Sequence, residues 1–237
     1  MKNFKTIAKT LLLTITIFSL VVTSSCTKDN FPVLTGGVPV DPTSVTDIDG
    51  NVYPVSKICD KFWMTENLRT TRYNDGTVII TGLSNTAWGA ATNGACAFYD
   101  DLSTNNTTYG KLYNWFAANN TKLAPTGWHV ATKAEWTALI ECLGGSSVAG
   151  GKMKSTSSLW AAPNTGASNS SGFNGLPAGF KGTGGGYSSL GNSTYFWGSN
   201  ERNATQGEYI LLDDDFASTA ANGATKTFGY SVRCIRD

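Results

Sequence analysis

The stretch Gly127 to Trp136, GWHVATKAEW, constrains the path of this chain more than any other. Trp128 and Val130 flank His129 with the period of two that marks a strand. Thr132 and Glu135 then stand at the S/T-x-x-E spacing of a capping box, in which each side chain satisfies a backbone donor the helix start leaves open. Trp136, Leu139, Ile140 and Leu143 recur at i, i+3, i+4 and i+7, a single apolar stripe. Gly144 and Gly145 end it, because glycine enters the left-handed conformation at little cost. The segment predicts a strand running into a capped helix. That helix must bury its stripe, and the closing strand Phe228 to Ile235 is the expected partner in one shared interior.

The N-terminus reads as an export leader. Lys2, Lys5 and Lys9 precede an apolar run from Leu11 to Val22, and Thr23, Ser24 and Ser25 lead into Cys26. The apolar run is about a dozen residues, short of the roughly 20 that span a bilayer. A cysteine after small residues resembles a bacterial lipobox, so Cys26 is the expected lipidation site. Thr23 stands where that pattern usually has leucine. The predicted organisation is a lipoprotein leader over 1–25, a flexible tether over 26–44 containing Pro32, Pro39 and Pro42, and one domain over 45–237. The expected location is the outer membrane, on its surface or periplasmic side, with the membrane contacted through the lipid.

The whole chain has 18 basic and 17 acidic residues; losing three leader lysines leaves 15 against 17, a net charge of −2. That balance, with no basic patch, argues against a nucleic-acid partner. About 210 residues remain after the leader, enough for one good core. Apart from Cys26, the cysteines are Cys59, Cys96, Cys142 and Cys234. An even count in an exported chain makes all four disulfide candidates, with three pairings open. Cys142, in the last turn of the predicted helix, suits a structural bridge. One histidine and no CxxC spacing exclude a multi-histidine or paired-cysteine zinc site. His129 itself reads as a hydrogen-bonded structural residue.

Val45 to Tyr53 predicts a hairpin turning at Asp49-Gly50-Asn51; Gly50 comes too early for a calcium loop of EF-hand type. Phe62 to Leu68 and Val78 to Ile80 read as strands, and 82–108 as a long loop. Leu112, Trp115 and Phe116 have helical spacing. From Ser171 onward the chain alternates glycine turns with short strands, among them Tyr195 to Glu201 and Glu208 to Leu212. Helices early and antiparallel strands late make an α+β fold.

The chain resembles the Fibrobacter succinogenes major paralogous domain, a family of exported bacterial modules. The resemblance is carried, in order, by Asp49 to Tyr53, Trp63 to Leu68, Tyr109 to Trp115, Gly127 to Val130 with Glu135-Trp136, Gly172 to Gly179, and Ser231 to Asp237. Ala124 stands where the family often has cysteine, and Cys59 where a polar residue or glycine is common, so no family disulfide pairing transfers. More distantly, the helix motif and closing strand look like C-type-lectin-like folds, including the formylglycine-generating group. That likeness implies paired terminal strands, about two helices and long glycine-rich loops. The modifying enzymes need a specific active-site cysteine pair, and the sequence does not place both of its members.

The function these residues imply is non-enzymatic binding of an extracellular ligand, a glycan or another surface protein. Trp197, Asn200 and Glu201 are the ligand-binding candidates. Asp213, Asp214 and Asp215 are the metal candidates, with Ca2+ the one cofactor they could hold. The alternatives are a structural or assembly component of the cell surface, and a carboxylate-dependent hydrolase drawing on Glu66, Glu135, Glu201 or the Asp213–Asp215 run.

Overall fold

A computed structural model describes residues 41–237; Cys26, the leader and most of the expected tether lie outside the described residues. Among the described residues there are twelve strands and five helices. The first sheet begins with a hairpin of β1 (Ser44–Thr46) and β2 (Val52–Ile58), paired Val45 to Tyr53. The turn forms because the Asp47 carboxylate accepts from the Asp49 and Asn51 N–H groups and from the Tyr53 hydroxyl, while Gly50 takes φ +83°. β3 (Lys61–Met64) follows, and four short elements come next: α1 (Asn85–Gly89), β4 (Cys96–Ala97), α2 (Ser103–Tyr109) and β5 (Leu112–Tyr113). The segment expected to be loop therefore holds two helices and a strand. Leu112 is strand rather than helix. The helix starts only at α3 (Trp115–Ala118), where the Asn114 side chain accepts from the Ala117 N–H.

The capped helix is present as read. β6 (Trp128–Val130) leads to α4 (Lys133–Cys142), with Thr132 and Glu135 closing the capping box. At its end the Gly144 N–H bonds the Glu141 carbonyl and the Gly145 N–H bonds that of Ile140, the two bonds of a Schellman ending. Trp136 and Leu139 are buried. α5 (Ser146–Met153), β7 (Ala178–Lys181), β8 (Tyr187–Leu190), β9 (Ser193–Asn203), β10 (Gln206–Asp213), β11 (Ala220–Thr225) and β12 (Cys234–Arg236) complete the chain.

The order in the first large sheet is β1-β2-β3-β12-β6, and in the second β11-β10-β9-β7-β8, with β4-β5 a separate pair. Strand pairs are antiparallel except β7 with β9. The last strand sits inside the first sheet, Ile235 facing Trp63 on one side and His129 on the other. Just before it, Tyr230 bridges Tyr113 and Ser231 bridges Phe196, so the closing segment ties β5 to β9.

The central strands are buried on both faces. Met64, Val130, Trp197, Val232 and Cys234 belong to one apolar cluster. Their neighbours Trp63, Ala131, Phe196 and Ile235 belong to a second, around Trp136 and Phe173. Successive strand side chains point to opposite faces, so the continuous runs Phe62-Trp63-Met64 and Tyr195-Phe196-Trp197 fill both interiors. Trp63 and Trp136 meet at 4.9 Å between ring centroids. The closing strand and the tryptophan-bearing helix thus share an interior.

Of the four cysteine candidates, Cys59 and Cys142 form a disulfide. Cys96 and Cys234 are corrected to buried free thiols. Burial pushes the Cys96 thiol up to about 12 and the Cys234 thiol higher still. Both lie in the first cluster as small apolar groups.

Candidate functional site

Among the described residues, an open groove of about 780 Å³ lies between α4 and the outer ends of β9 and β10. The helix contributes its polar side. Its apolar stripe faces inward, so Lys133, Thr137 and Glu141 are left facing out. The other wall exists because β9 is long. Its first half runs through the core; from Asn200 it passes beyond the covering elements and turns polar.

The groove's charges are arranged in bonds. The Asn200 Oδ1 accepts from the Lys133 N–H at 2.7 Å, tying the helix start to β9. Glu208 is nearly buried and pairs with the Lys133 ammonium at 2.8 Å and with Arg202 at 3.8 Å. Glu201 receives the Lys226 ammonium at 2.8 Å, and that ammonium stands 4.5 Å from the Trp115 ring centre. Two alanines apart, every lining residue is polar. Such a surface can exchange hydrogen bonds and charge with a polar ligand. It has no aromatic face for stacking.

Asn200 and Glu201 therefore stand in one groove. Trp197 does not: it is wholly buried, donates from Nε1 to the Tyr113 carbonyl at 2.8 Å and packs on Tyr230 at 4.4 Å. Its place in the ligand surface is corrected to the core, because the alternation of β9 carries it inward three residues before the strand leaves cover. Lys133, Arg202 and Glu208 were not found from sequence. Glu208 carried a signal: it shares strand parity with Ile210 and Leu212, both buried, so a carboxylate there had to find a cation.

Asp213, Asp214 and Asp215 lie at the far end of the same strands. Asp213 faces Ser193 and Gly207 faces Glu201, six residues apart on β10 and roughly 20 Å at strand rise. The acids do not join Asn200 and Glu201. Their carboxylates offer oxygen atoms within 4.8 Å of one another. The Asp213 carboxylate accepts from the Asp215 N–H and the Ser193 hydroxyl, and Asp214 from the Asn192 amide. The Lys154 ammonium donates to the Asp213 carbonyl at 2.6 Å and the Phe216 carbonyl at 2.9 Å. Burial lowers the Lys154 pKa, and the three acids oppose that shift. The turn is built around an internal ammonium on its carbonyls, while the three carboxylates stay close enough together to share a cation.

His129 sits on β6 with its side chain opposite those of Trp128 and Val130. Its Nδ1 meets Asp237 at 2.6 Å and its Nε2 meets Glu135 at 2.9 Å. Burial pushes the Glu135 carboxyl up, but bonds from the Thr132 N–H and hydroxyl and from His129 outweigh it and hold the group below its ordinary value. Both residues are engaged in holding strand to helix. Glu66 pairs with Arg69. A smaller apolar hollow of about 280 Å³, between Trp63, Leu139 and Ile235, lies beside the Cys59–Cys142 bridge.

No curated protein and no solved structure matches the chain. The Fibrobacter succinogenes major domain model matches residues 56–236. That span takes in every strand from β3 to β12, the capped helix and both walls of the groove. The chain belongs to the Fibrobacter succinogenes major domain family.

Proposed function

We propose that this protein is an exported, lipid-anchored binding module of the outer membrane, with a C-type-lectin-like domain that holds an extracellular ligand without transforming it. The groove between α4 and the ends of β9 and β10 carries this reading: it is large, open and polar, and two of its three acids, Glu201 and Glu208, are committed to lysine and arginine, leaving Glu141 on the helix. Catalytic carboxylates need environments that leave one of them protonated or free, and pairing with cations works against that. The disulfide between the exposed Cys59 and Cys142 supports export, since such bridges persist in oxidising compartments. The central position of the closing strand beside β3 supports the lectin-like likeness. Among the described residues no helix is long and apolar enough to cross a membrane, and the proposed attachment is the acylated Cys26. The ligand is a glycan or a surface protein recognised by polar contacts.

A glycan-array and pull-down screen tests the reading. The expected result is a ligand retained by the wild type and weakened at least tenfold by Arg202→Ala or Thr137→Ala with unchanged melting temperature. Absence of any ligand, or binding untouched by both variants, overturns the groove. Labelled palmitate incorporated by the wild type and not by Cys26→Ala tests the anchor; export without label would overturn it.

A further inference from the structure

A second pocket, of about 370 Å³, opens where β4 and β5 meet the 81–83 segment, and shares no residue with the groove. Its feature is Lys111. Among the described residues, four basic side chains are nearly or wholly buried: Lys111, Lys154, Lys181 and Arg233. Lys154 donates to two carbonyls, Lys181 to the Tyr187 hydroxyl and Arg233 to four acceptors. Lys111 is only 4% exposed, lines the pocket, and its ammonium has no hydrogen-bond or ion-pair partner among the described residues. What it has is the Phe98 ring, 4.9 Å from its nitrogen. A cation over an aromatic face gains about 1–2 kcal/mol when desolvated, and the ammonium, not sealed from the pocket, is left to take its remaining partners from what fills it. Cys96, in the same pocket, does not supply the counter-charge, because burial holds its thiol neutral with a pKa near the upper end of the titration range.

The exposed rim of the pocket also presents an acceptor. Asp101 binds the Tyr187 hydroxyl through Oδ1 at 2.8 Å, and its Oδ2 has no partner among the described residues. Asp101 and Lys111 line one pocket without pairing with each other. Thr81 adds a hydroxyl to the lining, and Gly82 leaves open space where a side chain would stand. A ligand that satisfies this set places an anionic oxygen on Lys111 and donates a hydroxyl to Asp101. We propose that the Lys111 pocket binds a small hydroxylated carboxylate, the chemistry of a sugar acid, as a site distinct from the groove.

Calorimetric titration and thermal melting of the full chain with glucuronate, glucose and inorganic sulfate test this. The expected result is saturable binding of glucuronate, a raised melting temperature, and at least tenfold weaker binding of glucose and sulfate. Lys111→Met should abolish the glucuronate response and melt close to the wild type without ligand, since the ammonium it removes has no protein partner to lose. Asp101→Asn should weaken glucuronate severalfold while leaving the groove ligand's affinity unchanged. No glucuronate binding by the wild type, equal binding by Lys111→Met, or sulfate binding as tightly as glucuronate would each overturn the proposal. Arg202→Ala, which breaks the groove, should leave glucuronate binding intact, so that either site can fail alone.

Discussion

Arg233 is fully buried, and its guanidinium has no carboxylate in contact. It donates to the Asn67 side chain at 2.6 Å and to the carbonyls of Met64, Phe173 and Asn174, with the Phe173 ring 4.4 Å from its central carbon. Burial lowers its pKa to about 9, yet the group stays charged at neutral pH. A rigid fork can serve acceptors in several directions, whereas a lysine ammonium is a point donor on a flexible stem. Arg233→Lys is therefore expected to lose about 3 kcal/mol, the scale of leaving buried acceptors unpaired, as read by urea denaturation. Asp49 gives a second residue-scale expectation. Burial pushes its carboxyl up, but bonds from the Thr71 N–H and hydroxyl, Arg72 and Thr70 dominate and hold it at about 2, below its ordinary 3.8. A carboxyl depressed by folding stabilises the protein fully above its unfolded value and loses that contribution as pH falls through the folded one. Asp49→Asn should thus cost roughly 1–2 kcal/mol at pH 7. The gap from wild type should close as pH drops from 4 toward 2, in denaturant melts across that window.

Elements were legible where one local rule decided them. Thr132, Glu135 and Gly144 set the ends of α4, and Asp49-Gly50-Asn51 set the turn of the first hairpin. Leu112 was misread because its spacing to Trp115 is helical, yet Asn114 caps the helix and leaves Leu112 extended. α5 had no readable stripe. It carries Gly150 and Gly151, which weaken a helix, because a side chain at Gly150 would strike the Ser218 carbonyl and one at Gly151 the Gly166 carbonyl. Only the tertiary neighbours supply that reason. The same holds for the disulfide: four cysteines allow three pairings, and chain course alone brings the β2–β3 turn to the end of α4. Cys59 occupies that turn at φ +55°, which costs a residue with a side chain roughly 1 kcal/mol. The bridge closes a loop with a sequence separation of 83; disulfides typically contribute about 2–4 kcal/mol, and long loops lie at the upper end. Replacing Cys59 and Cys142 by serine should lower the melting temperature by several degrees, about 5 °C or more. Reduction of the wild type should produce the same melt, because Cys96 and Cys234 have no bridge to lose. An unchanged melting temperature in the double variant would refute the stabilising role.

At the scale of the molecule, the two apolar clusters are not separable bodies. β3, β9 and β12 each send alternate residues into one and then the other: Trp63 against Met64, Phe196 against Trp197, Ile235 against Cys234. Sequence displayed these strands as unbroken apolar runs, from which the presence of a strand follows but not that two interiors flank it. It likewise showed Asn200 and Glu201 as polar residues after an aromatic strand, while the groove they line depends on α4 crossing beside them. Lys111 lies within the Tyr109–Trp115 family motif, and only its surroundings in the fold give it a chemical role. Because the shared strands wall both clusters, neither can open without exposing the other. The described domain should then unfold in one step, since two-state behaviour follows when no part retains a core of its own. Ile235→Ala removes a side chain from the second cluster only, and large-to-small changes of this kind cost about 2–5 kcal/mol. Its urea transition should move to lower concentration by the same amount whether followed by tryptophan fluorescence, far-UV circular dichroism or the reactivity of Cys96 and Cys234, which lie in the first cluster. Thiols that stay protected after the fluorescence of Trp63 and Trp136 has changed would mean that the two interiors come apart separately.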